Sequence, residues 1–382
     1  MKILIGADIV PVKSNIEFFE RGEVENLVDP ALAEVLQNAD YRIFNLEVPL
    51  TDRETPISKC GPALIASTKS AEGIKALGAD FLTLANNHIL DQDEQGLQST
   101  LAVLNKLGIA HAGVGKNLTE AQKPFILGAD GKKIGIYCCA EHEFSIAEEQ
   151  KAGANPFDPL ESLDHIATLK SECDAVIVLY HGGKEEYRYP SPYLQKVCRK
   201  IIEKGADLVV CQHTHCIGCA EKYQEGTIVY GQGNFLFDLC DNEYWNTSLL
   251  ISLDTDNVEN VDYLPLVKRG SMVALAVQEK NEILDGFRER TEAIQSPCLI
   301  EEKYSEVAQA QFERYMNRVQ GKRCSSLMFR ALNKLSGHKL KDYLIRKYYG
   351  KSQMASLYNL LDCEVHRESF LFGLKLKNMS RN

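Results

Sequence analysis

A His-x-His pair, His213-Thr214-His215, stands directly behind the apolar run Ala206-Asp207-Leu208-Val209-Val210-Cys211. Residues two apart in extended backbone share a face, so both imidazoles can converge on one ion or one substrate. Four other apolar runs end in groups of the same kind. Residues 2–5 lead to Asp8, residues 41–46 to Glu47, residues 81–84 to Asn86-Asn87-His88, and residues 174–180 to His181-Gly182-Gly183. Taken singly, each has a plainer role: Asp8 caps a turn, Asn87 is a turn residue, His181 and the His-x-His pair are hydrogen-bonded histidines. Coincidence in five segments is a much weaker account than one shared site.

The chemistry explains the mixture. Two divalent ions about 3.5–4 Å apart require a bridging carboxylate, neutral imidazoles and a hard oxygen donor, and such a pair clamps a tetrahedral oxyanion while activating a water. Glu47 is the expected bridge and Asn87 the expected amide-oxygen donor.

Positioning these groups falls to alternating strands and helices. Short apolar runs ending at Gly6, Glu47 and Asn86 read as buried strands, and α/β proteins gather ligands at the carboxyl ends of such strands. Asp29-Pro30 is a helix-start signature. Leu97, Leu101, Leu104 and Leu107 recur at three or four, which predicts a helix over 93–107. Asp130-Gly131 between residues 124–127 and 133–139 predicts a hairpin, and with it a mixed sheet. After about residue 279 the pattern turns helical: Tyr304, Ala308, Phe312, Tyr315 and Val319 share a face, as do Leu327, Ala331 and Leu335, then Leu340, Leu344 and Tyr348. These stripes are expected to face a core. The reading is therefore a domain over 1–278 and a helical extension over 279–382.

Composition narrows the class. At 382 residues, 45% hydrophobic and 25% charged, the chain suits a soluble globular protein. No stretch approaches ~20 apolar residues and the start does not read as a signal peptide, so a cytoplasmic location is expected. Twelve cysteines fall largely within apolar segments, where free thiols act as small hydrophobes, and Cys216-x-x-Cys219 lacks the second pair of a zinc ribbon. A net charge of -10 argues against nucleic-acid binding. Residues 311–351 depart from that balance, with eleven Lys/Arg against Glu313 and Asp342, which offers peripheral contact with an acidic membrane surface or polymer.

Asp8, Asn45-Leu46-Glu47, Asn86-Asn87-His88 with Asp91, His181-Gly182-Gly183 with Glu185, His213-x-His215, and Gly233-Asn234-Phe235 together resemble the bacterial capsule-synthesis, or poly-γ-glutamate synthesis (CapA-like), family, which is similar to the calcineurin-like metallophosphoesterases. The resemblance covers roughly residues 1–270. It implies an α/β fold, a layered α/β/β/α sandwich with mixed sheets, followed here by the helical extension. It assigns Asp8 and His215 to one metal, Asn87, His181 and His213 to the other, and Glu47 to both. His88 would act as the acid, oriented by Asp91, and Lys59, Glu185 and Asn234 would face substrate. Two departures stand out. Val10 occupies the position of a usual His, and Glu47 that of a usual Asp, so the Asp8 site is expected to be the weaker one. The expected function is a hydrolase dependent on two divalent ions (Mn, Zn or Fe), acting on a phosphoester or an anionic envelope polymer such as poly-γ-glutamate. The alternative is a non-catalytic polymer-binding subunit.

Overall fold

The computed structural model describes residues 1–237, 240, 242–296, 298–319, 332, 334–337, 339–340, 343, 347 and 350–379. These divide into two compact units, Met1–Pro56 with Leu64–Ile300, and Ile57–Ala63 with Glu301–Asn382. The helical texture does begin at Lys280–Ala293, but that helix belongs to the first unit, so the compact boundary lies near 300 rather than at the expected 278/279.

The strands of the first unit are β1 (Lys2–Val10), β2 (Tyr41–Leu46), β3 (Phe81–Thr83), β4 (Ala110–Ala112), β5 (Val114–Gly115), β6 (Phe125–Ala129), β7 (Lys132–Ala140), β8 (Gly153–Ala154), β9 (Ala175–His181), β10 (Leu208–Gln212), β11 (Ala220–Tyr223), β12 (Gly226–Tyr230), β13 (Asn234–Phe237), β14 (Thr247–Asp254), β15 (Asn257–Arg269) and β16 (Met272–Leu275). One sheet runs β16-β15-β14-β1-β2-β3-β4 with β13 also beside β1, the second runs β11-β12-β10-β9-β7-β6, and β5 pairs with β8. Both large sheets are mixed. Parallel runs are β1-β2-β3-β4 in one and β7-β9-β10-β12 in the other, and antiparallel strands close one edge of the first sheet, at β14-β15-β16, and both edges of the second, at β11 and β6. The Asp-Gly hairpin is present between β6 and β7, with Asp130 and Gly131 both at positive φ as a two-residue turn of this hand requires.

Alternation along the strands sorts the apolar side chains into three cores. Ile3, Ile5, Ile43 and Phe81 from the first sheet meet Ile136, Ile177, Val210 and Val229 from the second. On the first sheet's other face, Leu4, Phe44 and Leu82 pack with helix residues Leu32, Ile74, Leu97 and Leu104. On the second sheet's other face, Tyr137, Val178 and Val209 pack with Ile166, Leu169, Val197 and Ile201. Helix, sheet, sheet, helix is thus the layer order, as expected, and it explains why the central strands read as unbroken apolar runs. The caps follow the sequence signals: Asp29 accepts from the Leu32 N–H at 2.9 Å, and Ser191 does the same for Leu194.

In the second unit, Leu299–Val319, Lys351–Asp362 and Glu364–Met379 are helices. Tyr304, Ala308 and Tyr315 are buried, Tyr304 edge-on to Phe372 and Tyr315 beside His366 and Phe370. The first expected stripe therefore faces a core where it is described. Leu335, by contrast, is 84% exposed, since the pattern alone does not guarantee a partner surface. Most of the basic 311–351 segment lies outside the described residues. No described helix is long and apolar enough to cross a membrane.

The described cysteines are free thiols, and burial raises the Cys216 thiol to about 11, so Cys216 and its buried neighbour Cys219 pack as small apolar groups. Because Ile177 is fully buried between the sheets, Ile177→Ala should lower the free energy of unfolding by about 2–5 kcal/mol, as measured by denaturant titration of the whole chain.

Candidate metal centre

Asp8, Glu47, Asn87, His181, His213 and His215 come together at the carboxyl-end edge of the two sheets, all between 0% and 6% exposed. Glu47 follows β2 directly, His181 is the last residue of β9, and His213 follows β10. Asp8 differs from expectation, since β1 continues to Val10. The ladder shifts register at Asp8 against both β2 and β13, and such an irregularity re-aims a side chain within a strand.

The His-x-His pair also owes its geometry to something other than strand alternation. His213 and His215 have φ of 82° and 53°, so the chain has left extended backbone at Gln212, and the two rings turn to different partners. Histidine is among the residue types that tolerate this left-handed region. His213 Nδ1 lies 3.1 Å from His181 Nε2 and 4.0 Å from Glu47 Oε1. His215 Nδ1 lies 3.6 Å from Asp8 Oδ2 and 2.9 Å from Asn234 Oδ1.

Two donor groups result. Glu47, His181 and His213 form one and Asp8, Glu47 and His215 the other, with ligand atoms in each group within 4.8 Å of one another. Glu47 is common to both, as a bridge must be. The Asn87 oxygen joins the first group, 3.0 Å from His181 Nε2. Glu185, although exposed, reaches His213 and His215 closely enough to form a third such group. Asn234 stands at the start of β13 with its Oδ1 against His215 Nδ1. Lys59 lies in Ile57–Ala63, which belongs to the second unit. Val10 is buried in the core and adds no donor to the Asp8 side.

Three acceptors test the fit. Both Glu47 carboxylate oxygens and Asp8 Oδ2 are buried with no hydrogen-bond partner among the described residues. Buried carboxylate oxygens in that condition need a cation or a proton. Hard carboxylate and amide oxygens with neutral imidazoles suit borderline divalent ions such as Mn²⁺, Zn²⁺ or Fe²⁺, so the residues present fit a metal pair.

The electrostatics agree. Burial, then the charge of Asp8, push Glu47 well above the usual carboxylate range. Burial acts on Asp8 in the same sense, but His215, His181 and Asn45 outweigh it and hold Asp8 below its ordinary value. Two adjacent carboxylates without a cation divide in this way, one charged and one protonated. Burial pushes His181 down to about 4 and His213 well below its usual value, which leaves both neutral and able to ligate. Burial opposes the charge on His215 as well, but Asp8 and Glu47 overcome it and raise His215 to about 10.

A second ring of residues aims the first. Asn86 bonds the Leu46 carbonyl and the His88 N–H, and its amide donates to Asn45 Oδ1 at 3.0 Å. Asn45 Nδ2 then donates to Asp8 Oδ1 at 2.7 Å and lies 3.1 Å from His181 Nδ1. His88 Nδ1 meets Asp91 Oδ2 at 2.5 Å, and the same oxygen accepts from the Leu64 N–H, so the expected His88-Asp91 pair is assembled. Sequence reasoning missed Glu141, Glu143 and Trp245. Glu143 accepts from Asn87 Nδ2 at 2.7 Å, and the Trp245 ring lies 4.5 Å from that of His215. Glu141 and Glu143 follow the apolar strand β7, and that placement was the available signal.

The family model described as "Bacterial capsule synthesis protein PGA_cap" matches residues 3–239. The chain belongs to this family. Among curated relatives, the capsule biosynthesis protein CapA of Bacillus anthracis is 27% identical over 212 residues, 53% of this chain and 52% of that one. The PGA biosynthesis protein CapA of Bacillus subtilis is 28% identical over 209 residues, 53% and 55% of the two chains. The chain thus spans about half the length of the curated relatives it matches. Solved structures similar to it include a novel phosphatase from Mycoplasma pneumoniae, 17% identical with a TM-score of 0.44 over 70% of this chain and 93% of that one. Another is a 5'-nucleotidase precursor from Thermus thermophilus, 14% identical with a TM-score of 0.42 over 78% and 60%.

The charge states fix the sign of a measurable effect. The upward shifts at His215 and Glu47 favour their protonated forms in the absence of a cation, and a bound cation favours the deprotonated ones. Metal uptake near pH 7 should therefore release protons, and affinity should climb with pH by about tenfold per unit for each proton released. Calorimetric titration in buffers of different ionisation enthalpy measures both, and uptake without proton release would contradict this charge assignment.

Proposed function

We propose that the protein is a hydrolase dependent on two divalent ions, acting on a phosphoester or on the amide links of an anionic envelope polymer such as poly-γ-glutamate. The observation that carries the reading is Glu47, fully buried, common to both donor groups, with two carboxylate oxygens lacking hydrogen-bond partners among the described residues. Membership of the capsule-synthesis family supports the choice of polymer.

Divalent ions held by these donors would supply Lewis acidity, steadying an oxyanion and acidifying a water at neutral pH. The chain's own groups do the rest. His181 and His213, with Asp8, His215 and the Asn87 oxygen, would hold the ions beside the shared Glu47. Asp91 takes Nδ1 of His88 and stabilises its imidazolium, so the proton given to a leaving oxygen or nitrogen departs from Nε2. Glu185 lies at the exposed side of the histidines, where a substrate would approach.

Protein loaded with Mn²⁺ or Zn²⁺ should hold about two ions per chain. A full complement surviving in the Glu47→Ala, His213→Ala double variant would sink the metal assignment. Turnover of a phosphoester and γ-glutamyl panel should fall by about 10²–10⁴ in His88→Ala with the ions retained. An unchanged rate would remove His88 from the mechanism, and two bound ions without turnover of any panel member would favour a polymer-binding subunit.

A further inference from the structure

We propose that Glu141 is a positioning residue for the metal site containing His213, holding that imidazole with Nδ1 turned toward Glu47 and His181. The inference rests on the metal reading above.

Glu141 is 2% exposed and sits just beyond β7. Strands β7, β9 and β10 are parallel neighbours, so their carboxyl ends deliver Glu141, His181 and His213 side by side. The Glu141 N–H donates to the His181 carbonyl at 3.0 Å. Its Oε1 lies 3.4 Å from His213 Nε2, on the far side of the ring from the Nδ1 that faces His181. An ionised carboxylate only accepts, so it draws the ring proton to Nε2 and leaves Nδ1 with the lone pair a metal needs. A carboxylate behind a ligating histidine fixes tautomer and ring orientation together.

The local backbone is shaped around this carboxylate. Gly183, at φ 121°, donates its N–H to Glu141 Oε2 at 3.1 Å. A Cβ on Gly182 would stand 2.9 Å from the same oxygen and 2.5 Å from the Tyr180 ring. The two glycines after His181 therefore make room for Glu141 and bond it. Two residues on, Glu143 plays the matching part for Asn87. By accepting from Nδ2 it turns the amide oxygen toward His181. The corner Glu141-His142-Glu143 thus aims two donors of the same site.

The test is a Mn²⁺ titration of the full chain, with free ion read by electron paramagnetic resonance, on wild type, Glu141→Ala and Glu141→Gln. Wild type should bind two ions. Glu141→Ala should weaken one of them by about 10–100-fold and leave the other unchanged. Glu141→Gln keeps the side-chain volume and an oxygen for the Gly183 N–H, so its loss should sit near the lower bound, and it decides the matter if the alanine variant does not fold. Histidine ¹⁵N shifts of the metal-free protein should show His213 protonated at Nε2 in wild type and a tautomer mixture in the alanine variant. A merely structural role would lower the melting temperature, weaken both ions alike and leave the tautomer unchanged, and that result overturns the proposal. Wild type binding two ions with both variants equal to it also overturns it, while leaving the metal reading intact. Wild type binding none overturns both.

Discussion

A carboxylate with no exposed surface and, among the described residues, no hydrogen-bond partner for either oxygen is the constraint around which the first unit is arranged. Glu47 is in that state, and the nearest acid, Asp8, is also fully buried. Burying one carboxylate costs several kcal/mol without compensation, and a second one beside it makes the cost worse. Proteins retain such an arrangement where something positive is meant to enter. The neighbours are consistent with that purpose. Burial favours the neutral forms of His181 and His213, so they offer lone pairs rather than competing charge, whereas Asp8 and Glu47 push His215 toward its charged form.

The fold supplies the site by bringing two sheet edges together. The inter-sheet core of Ile5, Ile43, Ile177 and Val210 fixes the sheets face to face, so Asp8 and Glu47 from one meet His181 and His213 from the other. Strand ends alone do not finish the job. Asp8 needs a register shift, and His213 and His215 need left-handed backbone, conformations costing about 1–3 kcal/mol each where they are strained. The loop after β10 is held in place by its surroundings. A Cβ on Gly231 would meet the Thr214 side chain at 2.5 Å, and His215 is wedged against Trp245 and Phe237.

Much of this was legible in the residues, for identifiable reasons. Apolar runs buried on both faces announce central parallel strands, and polar residues at their ends announce the edge where a site forms. That logic picks out Asp8, Glu47, Asn87, His181, His213 and His215, which the fold gathers at one edge, and leucine spacing marks the helix over 93–107. Glu141 and Glu143 obey the same logic, but the strongest local signal of the run before them is the Asp130-Gly131 turn, which marks its opposite end. Trp245 lies in a loop without periodicity, so nothing local marks its contact with His215. The positive φ values at His213 and His215 left no trace either, since no glycine stands there. Lys59 lies in a segment that groups with the second unit, a nonlocal fact that spacing cannot carry.

The two halves of the centre are unequally supported, and the difference has a physical origin. The Glu47, His181 and His213 half has the Asn87 oxygen as a further donor and an acidic corner, Glu141 and Glu143, behind two of its members. The Asp8 and His215 half has Val10 in the core where another imidazole would be expected from the resemblance, and its histidine is backed by an aromatic wall and Asn234. Removing an imidazole removes a neutral ligand without changing the site's negative charge, so a cation there depends more on Asp8 and Glu47 and on solvent or substrate oxygens for its remaining coordination. Asp8 being held ionised beside a cationic His215 fits that account. With His215 pushed toward its charged form, a cation on this side would compete with a proton for the ring. An ion on this side would therefore meet more competition from protons than one held by His181 and His213, whose rings burial favours in the neutral form.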